Sequence, residues 1–147
     1  MKQVKKILFP IDLADDNYGK LLPWVSTFVE KFDATLYVAF VALDLSSYNT
    51  FYLPHGIIED FQVEAKEAAQ KHMADVAKDQ FQNFPKLETR VLRGSPAESL
   101  LELAEQENID LIIMGIHGRE GLKRVFLGSV AHKVVTAAHC PVMTIHQ

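Results

Sequence analysis

Leu111-Ile112-Ile113-Met114-Gly115-Ile116-His117-Gly118-Arg119-Glu120-Gly121-Leu122-Lys123-Arg124-Val125-Phe126-Leu127-Gly128-Ser129-Val130 is the stretch that decides the fold. Its first four residues form a short apolar run without polar alternation, as in a strand buried on both faces. A glycine-rich stretch follows, and Val130 to Ala138 then read as a helix. Strand, loop and helix in that order, repeated along a chain, build a parallel sheet.

The same alternation extends in both directions. Downstream, Val142 to His146 is a last strand. Upstream, Ser95-Pro96-Ala97-Glu98 starts a helix: Ser95 is placed to cap, Pro96 sits at the first helical position, and Glu98 is placed to close a capping box. Leu100, Leu101, Leu103 and Ala104 continue that helix, and Asn108 is placed to end it. Leu87 to Arg93 is a third strand, ended by Gly94. A long helix is expected from Ile58 to Gln82, with Phe61, Ala65, Ala68, Ala69, His72, Met73, Val76 and Phe81 as its apolar stripe.

Nearer the start, Lys6 to Asp12 is a nearly continuous apolar strand whose Pro10 removes a ladder donor and so belongs near its end. Leu21, Leu22, Val25, Phe28, Val29 and Phe32 recur at helical spacing, and Pro23 requires that helix to begin close to it. Thr35 to Leu43 is the second strand, and Asp44 to Gly56 reads as a loop carrying aromatic residues. The pattern β-α-β-α-β-α-β-α-β predicts an α/β fold, a single-domain open five-stranded parallel sheet with helices on both faces.

Composition agrees. The 147 residues, 48% hydrophobic and 23% charged, suit one packed domain spanning 1–147. No apolar run reaches the roughly 18 to 20 residues needed to cross a bilayer. Only Ile7 to Pro10 follows the basic N-terminus before Asp12, too short for a signal peptide, so export is not expected. The single cysteine, Cys140, excludes an internal disulfide and a cysteine-based zinc site, and fits a reducing, cytoplasmic setting. It reads as a small buried apolar residue.

A net charge of −4 makes nucleic acid a poor partner. The charge is uneven: residues 119–147 hold Arg119, Lys123, Arg124 and Lys133 against Glu120 alone. A small basic surface on an acidic protein suits a small anion; a solvated basic face without a ligand is the alternative.

In open parallel sheets ligands bind at the carboxyl ends of strands, where the chain order reverses. Four of the seven glycines fall within fourteen residues after strand four. Gly115 and Gly118 let backbone N–H groups approach a ligand, and Gly128-Ser129 opens a helix whose free amides and dipole favour an anion such as phosphate. An ordinary glycine-rich loop in which Ser129 is a plain N-cap is the other reading.

Gly115-x2-Gly118-x9-Gly128-Ser129 resembles the ATP-binding pattern Gly-x2-Gly-x9-Gly-[Ser/Thr] of the universal stress protein (UspA-like) family. It matches at every specified position. Ile7-Leu8-Phe9-Pro10-Ile11-Asp12, Gly94-Ser95-Pro96-Ala97-Glu98 and Cys140-Pro141-Val142 also resemble that family, in the right order along the chain. The resemblance implies a Rossmann-like, adenine nucleotide alpha hydrolase-like sheet of strand order 3-2-1-4-5, and the ATP-binding branch of the family.

It also implies roles. Asp12, led by Pro10 and Ile11, matches the aspartate beside the adenine, and Val41 the apolar residue near the base. Met114 and Gly115 match the floor under the ribose. Gly118, Gly128, Ser129 and Val130 match the groups around the phosphates. Arg119 and His117 are further candidates for phosphate contact, with solvent-facing and plain loop residues as their alternatives. Many members have a serine two residues after the aspartate, where this chain has Ala14 followed by Asp15 and Asp16. Those carboxylates repel phosphates unless Mg²⁺ bridges them, which keeps AMP or ADP beside ATP as ligands. As helix caps on the surface they would have no such role.

Other classes fit poorly. Walker A and the Ser-Gly-Gly-x-Asp-Ser loop of ATP pyrophosphatases are absent, and no nucleophile–base pair stands out, so at most weak ATP hydrolysis or phosphotransfer is expected. A response-regulator receiver needs an aspartate ending strand three and a lysine ending strand five, where this chain has Arg93-Gly94 and Ile145-His146-Gln147. A dinucleotide dehydrogenase needs Gly-x-Gly-x-x-Gly after strand one. The six histidines show no metal-ligand spacing, so no metal site is expected. Tyr48, Phe51 and Tyr52 are placed to cover an adenine or to hold their loop down. By family resemblance the last strand, Val142 to His146, is an edge that pairs with its mate in a nucleotide-dependent homodimer serving stress response or regulation.

Overall fold

The computed structural model describes residues 2–13, 16–42, 55–116 and 128–146. Along the chain these form β1 (Lys6–Pro10), a 3₁₀ helix (Asp16–Leu21), α1 (Leu22–Phe32), β2 (Thr35–Ala42), α2 (His55–Gln80), β3 (Leu87–Arg93), α3 (Pro96–Gln106), β4 (Leu111–Ile116), α4 (Ser129–Ala137) and β5 (Val142–His146). The five strands make one parallel sheet of order β3-β2-β1-β4-β5.

Because successive strand residues point to opposite faces, each apolar strand feeds two cores. Ile7, Phe9, Leu36, Val38 and Ile113 pack with Val25 and Val29 of α1 and Met73 and Val76 of α2. Leu8, Tyr37, Ala39, Ile112 and Met114 pack on the other face with Leu100 and Leu103 of α3 and Val134 of α4. Hence the near-continuous hydrophobic reading of β1, β2 and β4.

Several sequence boundaries shift. β1 stops at Pro10 rather than Asp12, and its pairing with β4 ends earlier, at Leu8, because Pro10 has no N–H to offer on that side. β4 runs on to Ile116 through its pairing with His146 of β5. α4 starts at Ser129 and ends at Ala137, one residue earlier at each end. The helix read from Ile58 begins at His55, inside the expected loop, and ends at Gln80. α3 ends at Gln106, before Asn108, which takes a left-handed φ of 54°. The 3₁₀ helix has no apolar periodicity of its own, only the buried Tyr18 and Leu21.

Two finer expectations are corrected. Ser95 makes no side-chain cap bond to the α3 amides. Its side chain bonds the Glu98 carboxylate instead, and this bond, the Glu98 backbone and Lys133 hold that carboxyl below its ordinary 4.5. The apolar stripe of α2 also faces differently. Met73 and Val76 are buried with Gln62, whereas Phe61, Ala65, Ala68 and His72 are exposed. An apolar arc this wide leaves the rotation of the helix undetermined by pattern alone. Phe81, just past the helix, is buried with its ring 6.3 Å from both Phe9 and Tyr18.

Gly94, read as the end of β3, adopts a φ of 137° that disfavours side chains, and a Cβ there would come within 3.0 Å of Ser99 Oγ. Its amide donates to Ala42 O at 3.1 Å, tying the exit of β3 to β2.

Candidate functional site

A cleft of about 400 Å³ opens at the carboxyl ends of the strands. α1 leaves β1 toward one face of the sheet while α4 leaves β4 toward the other. The adjacent ends of β1 and β4 therefore diverge, which is where parallel α/β sheets open a crevice.

Its walls come from separate stretches of chain. β1 and its exit supply Pro10, Ile11 and Asp12; β2 supplies Ala39, Phe40 and Val41. β4 supplies Met114, Gly115 and Ile116, and α3 supplies Pro96 and Leu100. Gly128, Ser129, Val130 and Ala131 close the remaining side. Nine residues singled out in the sequence thus meet around one space: Pro10, Ile11, Asp12, Val41, Met114, Gly115, Gly128, Ser129 and Val130. His117, Gly118 and Arg119 lie outside the described residues, as do Ala14, Asp15, Tyr48, Phe51, Tyr52 and the side chain of Asp16.

Sequence reasoning missed Ala39, Phe40, Pro96, Leu100, Ile116 and Ala131 as lining residues. Pro96 carried a signal, since it belongs to the Gly94 to Glu98 stretch already set apart. Ala39, Ile116 and Ala131 neighbour matched positions but have no chemistry that marks them.

The α4 start differs from the plain-cap reading. Gly128 is the N-cap, and Ser129 is the first helical residue, exposed at the cleft. His132 N–H donates to Gly128 O at 2.9 Å, the first bond of the helix. The amides of Ser129, Val130 and Ala131 precede that bond and have no intrahelical acceptor. α3 also begins at the cleft with Pro96. Two helix N-termini thus bring partial positive charge to one side, and the exposed Asp12 carboxylate stands on the β1 side. Donors at one end and an acid acceptor at the other suit a ligand with an anionic group and a donor-bearing group.

Outside the cleft, Cys140 is buried against the α3–α4 face, and burial pushes its thiol above the ordinary 9.0. Among the described residues no group of three His, Cys, Asp or Glu is arranged to hold a metal ion. Nor is any described helix long and apolar enough to cross a membrane.

Sheet order, crossovers and cleft define a Rossmann-like parallel α/β domain. The family model described as universal stress protein family matches residues 3–146, and the chain belongs to that family. A universal stress protein of Methanocaldococcus jannaschii is 36% identical over 142 residues, covering 96% of this chain and 81% of the relative. The solved universal stress protein UspA of Lactobacillus plantarum superposes with a TM-score of 0.70 at 27% identity, covering 99% of each chain. The universal stress protein of Archaeoglobus fulgidus in complex with dAMP shares the fold, with a TM-score of 0.60 at 21% identity, covering 98% of this chain and 99% of that one.

Proposed function

We propose that this universal stress protein binds an adenine nucleotide, ATP foremost, in the cleft and acts in stress response or regulation as a nucleotide-dependent homodimer in the cytoplasm. The observation that carries the reading is the convergence of Asp12, Val41, Met114, Gly115, Gly128, Ser129 and Val130, far apart in sequence, on one cleft. Its volume of about 400 Å³ falls within the range of small-molecule sites. Asp12 accepts from the exocyclic amine or a ribose hydroxyl, and the α4 amides with Ser129 hold phosphate oxygens. His117, Gly118 and Arg119 complete the phosphate end in this reading. Mg²⁺ accompanies a triphosphate, offsetting Asp15 and Asp16.

AMP or ADP is the second reading. It is favoured by those same carboxylates after Asp12 and by the monophosphate held by the Archaeoglobus relative. Mass spectrometry of ligand released from the purified protein separates the two. ATP in the released fraction supports the first reading, AMP or ADP alone supports the second, and a non-adenine ligand removes both.

The homodimer joins β5 to β5. β5 is an edge strand with half-buried Val142, Met143, Thr144 and Ile145, whereas the opposite edge, β3, carries Glu88, Arg90 and Arg93. Charge on an edge discourages pairing, and an apolar edge invites it. In sedimentation equilibrium the wild type is expected to be at least dimeric, and Met143→Pro, which lacks a ladder donor, to lose that contact. A Met143→Pro variant with unchanged mass would remove this interface.

A further inference from the structure

Helices α3 and α4 both start at the cleft and pack against each other, and one ion pair bridges them near that end. Lys133 Nζ of α4 stands 3.5 Å from Glu98 Oε1 of α3. The two helix starts are otherwise unlike. α3 carries an acid, Glu98, in its first turn, and α4 carries none. A helix N-terminus favours an anion, so α3 supplies its own while α4 leaves that place to a ligand.

Lys133 stands between these two anion sites. It follows Ser129 by four residues and Val130 by three, and so shares the helix face on which both line the cleft. Helical side chains lean toward the N-terminus. Its flexible four-carbon stem thus reaches back along one turn, about 6 Å, toward the Ser129 and Val130 amides. Among the described residues lining the cleft, Asp12 is the only charged one, so none of them is a cation. The acids around Lys133 are few. α4 has none, and on α3 Glu102 and Glu105 lie further from the cleft than Glu98.

As a permanent brace the pair is weak. Its side chains are 60% and 56% exposed, and 3.5 Å is long for a charge-assisted hydrogen bond. Glu98 also accepts from the Ser95 hydroxyl and from its own backbone amide, so the carboxylate stays satisfied when Lys133 leaves. We propose that Lys133 leaves Glu98 for the phosphates when a nucleotide fills the cleft, and that Glu98 is thereby a built-in competitor that lowers nucleotide affinity. This inference rests on the reading of the cleft as an adenine nucleotide site. A terminal phosphate brings about two negative charges against the one on Glu98, so the exchange runs toward the ligand.

Calorimetric titration of the full chain with Mg-ATP, AMP and adenosine tests the exchange. Lys133→Gln is expected to weaken nucleotide binding about fivefold, and Glu98→Gln to tighten it about threefold, the scale of exposed charge contacts. The double variant should bind like Lys133→Gln alone, because Glu98 acts by holding the lysine. Adenosine, which has no phosphate, should bind all four proteins equally. Both side chains are exposed and both changes keep their length, so folding is preserved. Single variants that weaken binding alike, or that shift adenosine as well, would make the pair a brace between α3 and α4 and overturn the proposal. A gain from Glu98→Gln that persists without Lys133 overturns it too, since the carboxylate would then act by its own field. Wild-type protein that binds nucleotide while every variant matches it overturns this inference alone. Wild-type protein that binds none of the three ligands overturns the reading of the cleft along with it.

Discussion

The amide of Ile11 donates to the carbonyl of Ala39 across 2.8 Å, one residue beyond the proline that ends β1. Asp110 N–H donates to Lys6 O, so the even positions of β1 face β4. The donor that Pro10 lacks is one toward β4, where pairing stops at Leu8, and the bond to β2 at Ile11 is untouched. That single bond ties the segment leading to Asp12 to the β2 stretch leading to Val41, both of which line the cleft.

Filling the phosphate end of the cleft should separate binding from folding. Gly128 has a φ of −58°, and a Cβ built there meets nothing within 4 Å. Gly128→Val should therefore keep stability within about 0.5–1 kcal/mol of wild type, as at other unstrained surface sites. It should abolish nucleotide binding, because its branched side chain stands where phosphate oxygens reach the α4 amides. Thermal melts with and without ATP give both readouts.

Ser129→Ala removes one hydroxyl donor and leaves the amides in place. A weakening of about 1–2 kcal/mol, roughly tenfold in Kd, is expected for one hydrogen bond to a charged group. Loss of binding beyond a hundredfold would give Ser129 a larger role than one bond.

The core beneath the first loop is aromatic. Phe81 is 1% exposed, and its ring stands 5.8 Å from Phe84 and 6.3 Å from Tyr18, which anchors the segment after Asp12. Phe81→Ala should cost about 3–5 kcal/mol. Denaturant titration measures it. A loss below about 1 kcal/mol would mean that the site collapses or was never packed.

Burial raises the Cys140 thiol above 9.0; the charge of Lys2 opposes this and that of Asp110 adds to it. The unfolded chain then ionises first as pH rises, so this contribution to stability is present below pH 9.0 and is lost on further alkalinisation. Cys140→Ala should remove that part of the alkaline decline in melting temperature. The folded wild type should react with a thiol reagent at neutral pH only as fast as it opens locally.

How much the sequence revealed depended on what bounded each element. β3 and β5 were read to the residue because Gly94 and Cys140-Pro141 interrupt their patterns. Cleft residues were legible where a glycine, a helix-opening hydroxyl or a carboxylate marked them, and invisible where only Ala39, Leu100 or Ala131 filled space. The facing of α2 was not legible. Its apolar positions span more arc than one core contact uses, and the buried Gln62 breaks the hydrophobic pattern. Nor did the Ser95 capping box survive, since its side chain found the Glu98 carboxylate instead of a backbone amide.

Calorimetric titration of the wild type and Gly128→Val with Mg-ATP, ADP and AMP tests the central claim most directly. The wild type should bind at least one of the three with measurable heat and a raised melting temperature, and Gly128→Val should bind none while melting near the wild-type value. No heat and no thermal shift from wild-type protein at millimolar nucleotide would contradict adenine nucleotide binding in this cleft.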